Sequence, residues 1–128
     1  RVLEQRARWR GLEPQVLPVR FGDALDPDGA DVILIGGGQD RDQVLVADEL
    51  RRQVPAIREA LAQGAALLAV CGGYQLLGHS YQLGEEVLPG LGLVDLKTVR
   101  EEGPRLIGNV AVDAFTPANG ATEVMTVT

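Results

Sequence analysis

Apolar residues recur along this chain with two alternating periods. Val2, Leu3, Arg6 and Trp9 fall at helical spacing and are followed by Gly11, which predicts a short helix over Val2–Arg10 closed by a C-terminal glycine. Gln15–Phe21 alternates and is rich in β-formers, so it predicts a strand. Gly22–Ala30 then holds Asp23, Asp26, Pro27, Asp28 and Gly29, the residues of turns. Asp31–Ile35 is a β-branched apolar run ending at Gly36, Gly37 and Gly38, the pattern of a buried parallel strand that delivers a glycine loop. From Asp40 to Gln63, Val44, Ala47, Leu50, Val54, Ile57 and Leu61 mark one apolar helical face, with Pro55 expected to kink or split it. Gly64 ends that helix. Ala65–Val70 predicts a second buried strand running into Cys71, Gly72 and Gly73, and Tyr74–Tyr81 a helix leaving it. Gly84, Pro89, Gly90 and Gly92 predict a loop, followed by strands at Leu93–Thr98 and Leu106–Asp113.

Strand, helix, strand, helix in this order predicts right-handed crossovers and a mainly parallel sheet. The fold class expected is therefore α/β: a three-layer sandwich with a flavodoxin-like sheet, in one domain over residues 1–128. A chain of 128 residues buries roughly two-thirds of its unfolded surface, enough for one ordinary core. Sheets of this kind place ligands at the carboxyl ends of their strands, where both glycine loops fall.

Composition narrows the function. With 45% hydrophobic and 23% charged residues the chain has a globular balance. No apolar run approaches the roughly 20 residues of a bilayer crossing, and Arg1–Arg10 is not a secretory signal, so a cytoplasmic protein is expected. A formal net charge of −6, scattered basic residues and 4% aromatics argue against a nucleic-acid surface. A single cysteine makes no internal disulfide; it is either a small buried hydrophobe or a reactive thiol.

The residues around that cysteine favour the second reading. Ala69-Val70-Cys71-Gly72-Gly73 has the small–x–nucleophile–x–small pattern of a sharp strand-to-helix turn. Such a turn lifts the sulfur above the sheet to a helix start, where unpaired N–H groups favour a thiolate. Three other groups attract a chemical reading. Gly36–Gly38 could be a tight turn or a phosphate cradle, but Gln39-Asp40-Arg41 supplies no nucleotide-binding ending. The acidic cluster Asp23, Asp26, Asp28 and Asp31 lacks the spacing of an EF-hand loop and reads as a solvated turn, as do Glu85-Glu86 and Glu101-Glu102 as loop charge. His79, the only histidine, would lie roughly 9 to 12 Å along the expected helix from Cys71, too far for a general base.

Cys71-Gly72-Gly73-Tyr74-Gln75 resembles the Cys-x-Gly-x-Gln signature of class I glutamine amidotransferases. Together with Gly36-Gly37-Gly38-Gln39-Asp40, Leu76-Leu77-Gly78, Gly90-Leu91-Gly92 and Arg105-Leu106-Ile107-Gly108, it is similar to the cobyric acid synthase-like branch, and within it to the glutaminase subunits of lipid II isoglutaminyl synthase (the GatD group). The resemblance implies hydrolysis of glutamine through a cysteine thioester at Cys71. It further implies that Gln75 contacts the glutamine and that Arg105 grips its α-carboxylate, although a solvated arginine is an open alternative. Gly37 and Gly72 are candidate N–H donors to the oxyanion. No cofactor is expected in this chain; ATP and magnesium are expected on a Mur-ligase-like partner that receives the ammonia. The family pattern has a strand ahead of Val2 and a catalytic histidine beyond Thr128, so these residues are expected to be part of a domain, with little glutaminase activity by themselves. Two other readings stay open: an amidotransferase domain for cobyric acid synthesis, and a non-catalytic docking module that keeps the elbow.

Overall fold

The computed structural model describes residues 1–38, 40–99, 103, 112–113 and 126–127. It is an α/β arrangement in which parallel strands carry the glycine loops. Helix α1 (Val2–Arg8) has Glu4 in its first turn and Arg6 and Arg8 in its last, the charge order its dipole favours, and Arg8 donates to Glu4 at 2.9 Å. Gly11 at φ 74° closes it, with Leu12 N–H on the Ala7 carbonyl and Gly11 N–H on the Arg8 carbonyl. No residue of α1 is buried.

The strand expected at Gln15–Phe21 does not form. Val16, Leu17, Val19 and Phe21 are exposed, and among the described residues no strand pairs with this segment. Alternation supplies the faces of a strand but not the neighbour that its backbone must bond. The chain is retied at residues 22–25, where Gly22 N–H and Leu25 N–H donate to Glu49 and Gln53, and Gln53 Nε2 donates to the Asp23 carbonyl at 2.6 Å.

Strand β1 (Val32–Ile35) pairs in parallel with β2 (Ala66–Ala69), in the register Val32↔Ala66 to Ile35↔Ala69. Ile33 and Ile35 turn into the core while Val32 and Leu34 are exposed. Between the strands runs α2 (Asp40–Ala62), one continuous helix. Pro55 does not split it: the ring lies on the exposed side, where water can replace the backbone bond that proline forfeits. Ala47, Ile57 and Ala60 of α2 join Ile33, Ile35, Leu76, Leu77, Tyr81 and Leu91 in one buried cluster. Complete burial of Ile57 and Leu76 contributes about 1.5–3 kcal/mol each. At the end of α2, Gly64 takes φ 104° and turns the chain directly into β2.

The chain beyond Cys71 departs from the expected helix over Tyr74–Tyr81. Helix α3 is one turn, Gly72–Gln75, and Ser80–Leu83 is instead strand β3. It forms a hairpin with β4 (Glu86–Pro89), where a loop was expected, and pairs in parallel with β5 (Lys97–Thr98). Of the strand expected at Leu93–Thr98 only those last two residues are β. Gly78 shows why the helix stops: a Cβ there would collide with the Leu96 carbonyl and side chain, so the chain at residue 78 is pressed against another segment rather than coiled on itself. The strand expected at Leu106–Asp113 lies mostly outside the described residues; Val112–Asp113 is strand β6, paired with β7 (Thr126–Val127). No helix among the described residues is long and apolar enough to cross a membrane.

Candidate active site

The two glycine loops leave the sheet side by side. Val70 N–H donates to the Ile35 carbonyl at 3.0 Å, the rung just before Gly36 on one strand and Cys71 on the other. Cys71 then adopts φ 54°, ψ −123°, the only positive φ at a non-glycine among the described residues. A side chain held there is strained by about 1–3 kcal/mol, a cost that persists only where surrounding structure enforces it. Gly73 N–H on the Val70 carbonyl and Gln75 N–H on the Cys71 carbonyl, both 3.1 Å, enforce it locally. Gly73 enforces it from the sheet side: a Cβ there would stand 2.7 Å from the Ile35 and Gly36 carbonyl oxygens, so only glycine lets the elbow sit so low on β1. Cys71 itself is exposed.

Gly37 faces the sulfur. A Cβ built on it would lie 2.8 Å from Cys71 Cβ, 3.2 Å from Cys71 Sγ and 3.4 Å from Gly72 N. Neither the Gly37 nor the Gly72 N–H has a hydrogen-bond partner among the described residues. Two N–H groups without a partner among the described residues, beside an exposed thiol, are the elements needed to hold a negative oxygen on a carbon that the sulfur attacks. The helix behind the sulfur contributes less than expected, because α3 is a single turn and its summed dipole is correspondingly small.

Gln75 ends α3, half-buried, with its N–H on the Cys71 carbonyl and its own carbonyl accepting from Thr98 Oγ1 at 3.2 Å. The structure thus brings Cys71, Gly37, Gly72 and Gln75 together, while Arg105 lies outside the described residues. Thr98 carried no motif in the sequence, since a lone hydroxyl at a strand end has no distinguishing pattern.

His79 does not stand on the helix that was expected to carry it away from Cys71. The helical rise does not apply, because the helix ends at Gln75 and His79 stands in a bend. Its Nε2 pairs with Asp95 Oδ1 at 2.9 Å, and its Nδ1 lies 3.9 Å from where a Gly92 Cβ would be. Both ring nitrogens therefore address the 90–96 segment. In the acidic turn, Asp23 and Asp26 accept from the Arg20 and Asp28 N–H groups, and Asp28 accepts from Gln63, which is the local bonding of a turn.

The profile of the CobB/CobQ-like glutamine amidotransferase domain matches residues 1–125. The chain is 35% identical over 115 residues to the lipid II isoglutaminyl synthase (glutamine-hydrolyzing) subunit GatD of Staphylococcus aureus strain N315, covering 89% of this chain and 47% of that protein. Identity to the subunit of the same name from Streptococcus pneumoniae strain ATCC BAA-255 / R6 is 33% over 112 residues, 87% of this chain and 43% of that protein. A probable cobyric acid synthase of Methanosphaerula palustris is 36% identical over 85 residues, 62% of this chain and 17% of that protein. The chain thus spans under half the length of these relatives.

Proposed function

This chain belongs to the family of CobB/CobQ-like glutamine amidotransferase domains, and from that premise we propose that Cys71 is the nucleophile with which it hydrolyses glutamine. The Cys71 sulfur adds to the carboxamide carbon, forming a C–S bond, and the carbonyl oxygen becomes an oxyanion received by the Gly37 and Gly72 N–H groups. The C–N bond then breaks and the nitrogen takes up a proton and leaves as ammonia. Water cleaves the resulting thioester, giving glutamate and restoring the thiol. Gln75 and Arg105 position the substrate. The observation that carries this reading is the close approach of Gly37 to the strained, exposed Cys71.

The ammonia is passed to an ATP- and magnesium-using Mur-ligase-like subunit, MurT, which amidates the D-glutamate of lipid II to D-isoglutamine in peptidoglycan synthesis. The GatD relatives favour this acceptor, since they align over 89% and 87% of the chain. Cobyric acid synthesis is the second reading, supported by matches that cover 56–69% of the chain in cobyric acid synthases. The test is amidation by the intact protein with its synthetase. Cys71→Ala should abolish glutamine-driven amidation of lipid II and spare amidation driven by free ammonia. Glutamine-driven turnover that survives the substitution excludes Cys71 as nucleophile, and turnover of a corrinoid in place of lipid II moves the chain to the second acceptor.

A further inference from the structure

The carbonyl oxygens that follow the elbow take their donors from an unexpected quarter. In a helix continuing past Gln75 they would accept from N–H groups four residues further on. Instead the 90–98 segment supplies them. Leu91 N–H donates to the Leu76 carbonyl, Leu93 N–H to Leu77 and Gly92 N–H to Gly78, each at 2.8 Å, and Gly90 N–H to His79 at 2.9 Å. All four are backbone donors. The Gln75 carbonyl differs, because its donor is a side chain, Thr98 Oγ1 at 3.2 Å in a half-buried setting. Since Gln75 N–H is already bonded to the Cys71 carbonyl, the Gln75 Cα sits between two fixed peptide groups, one tied to the nucleophile residue and the other to Thr98.

We infer that Thr98 is a positioning residue for Gln75, its hydroxyl holding the peptide group that follows Gln75 so that this residue keeps its place at the end of the turn that starts at Cys71. The inference rests on the proposed reading, in which Gln75 contacts the substrate glutamine. A one-turn helix has almost no internal bonding with which to resist fraying. Its final residue is therefore set by whatever its carbonyl meets, and a half-buried carbonyl without a donor must turn to find one. Thr98 is suited to the task because it is itself fixed: Lys97 and Thr98 pair with Ser80 and Tyr81 of β3, so the hydroxyl arrives from a strand.

The experiment compares two alkylation rates of Cys71 in the intact protein, followed by mass spectrometry. Diazo-oxo-norleucine needs the glutamine pocket to reach the sulfur, whereas iodoacetamide needs only an exposed thiol. Thr98→Val keeps the shape and β-propensity of the side chain and removes the hydroxyl. It should slow labelling by the glutamine analogue by roughly five-fold, the factor that corresponds to one typical net hydrogen bond, and leave the iodoacetamide rate unchanged. Thr98→Ser, which retains the hydroxyl, should restore the first rate. If both rates fall together in Thr98→Val, or if neither moves, Thr98 does not position Gln75. Failure of the analogue to label the unaltered protein at all overturns the assignment of Cys71 itself, and this inference with it.

Discussion

Gly37→Ala adds one methyl group where the first glycine loop meets the nucleophile. The new Cβ would stand 2.8 Å from Cys71 Cβ and 3.2 Å from Sγ, whereas carbon atoms in ordinary contact sit about 3.5–4.0 Å apart, so one of the two must retreat by roughly 0.7 Å. Neither backbone gives way freely. Cys71 is held at φ 54° by the bonds of the elbow, and Gly37 lies two residues beyond the end of β1, which pairs with β2. Overpacking of this kind costs about 1–3 kcal/mol, and the low end applies because both residues are exposed. The effect on chemistry should exceed the effect on stability, since displacing a reacting group by about 1 Å can cost on the order of a hundredfold in rate. We expect glutamine-driven turnover to fall by about two orders of magnitude while the melting temperature drops by a few degrees. Gly36→Ala is the control, because a Cβ there meets nothing within 4 Å and Gly36 does not need positive φ. Turnover should be assayed with glutamine and with free ammonia, so that damage to the synthetase is seen separately. If Gly37→Ala turns over glutamine like the unaltered protein, Gly37 does not approach the sulfur as described and the proposed oxyanion site is wrong.

Three further outcomes follow from the same geometry. Cys71→Gly removes the strained side chain from φ 54° and should raise the unfolding free energy by about 1 kcal/mol or more while abolishing labelling by diazo-oxo-norleucine; a loss of stability in urea titration would show that the elbow is unstrained. Ile57→Ala empties a position that is 1% exposed and should cost about 2–5 kcal/mol in the same titration, a smaller loss meaning that α2 does not pack on the sheet as described. His79→Gln should change the labelling rate of Cys71 by less than about twofold and cost under about 1 kcal/mol, because the His79–Asp95 pair is exposed; a collapse of labelling would make His79 the general base.

The parts of the fold that were legible in the sequence are those whose signal is local. Asp31–Ile35 and Ala65–Val70 are aliphatic runs cut off by glycines, and β1 and β2 fall inside them. The apolar stripe from Val44 to Leu61 is long enough to fix α2 despite Pro55. The elbow could be read because a strained turn restricts its neighbours to small residues, which leaves a mark within five positions. Where the sequence misled, the deciding partner was distant. Tyr74–Tyr81 has the residues of a helix, but Leu91, Gly92 and Leu93 capture its carbonyls and Leu96 crowds Gly78. Gln15–Phe21 has the alternation of a strand, but no strand among the described residues pairs with it. The resemblance supplied Gln75, which periodicity alone treats as a surface polar residue, and Thr98 had no signal at all.

The capture of the carbonyls of residues 76–79 by the 90–93 stretch has a practical consequence. Arg51 donates to the carbonyl of Pro89, the last residue of β4, at 3.1 Å and Arg58 to the Gly92 carbonyl, so the stretch that captures the carbonyls after the elbow is itself pinned to a helix 34 to 38 positions earlier. The turn that carries Cys71 is therefore continuous with a stretch shaped by distant parts of the chain, and a peptide carrying only the signature would hold the right letters in no particular shape. Selective capture of the thiol by a glutamine mimic thus gauges whether the molecule has assembled, and on warming it should disappear together with native structure rather than after it.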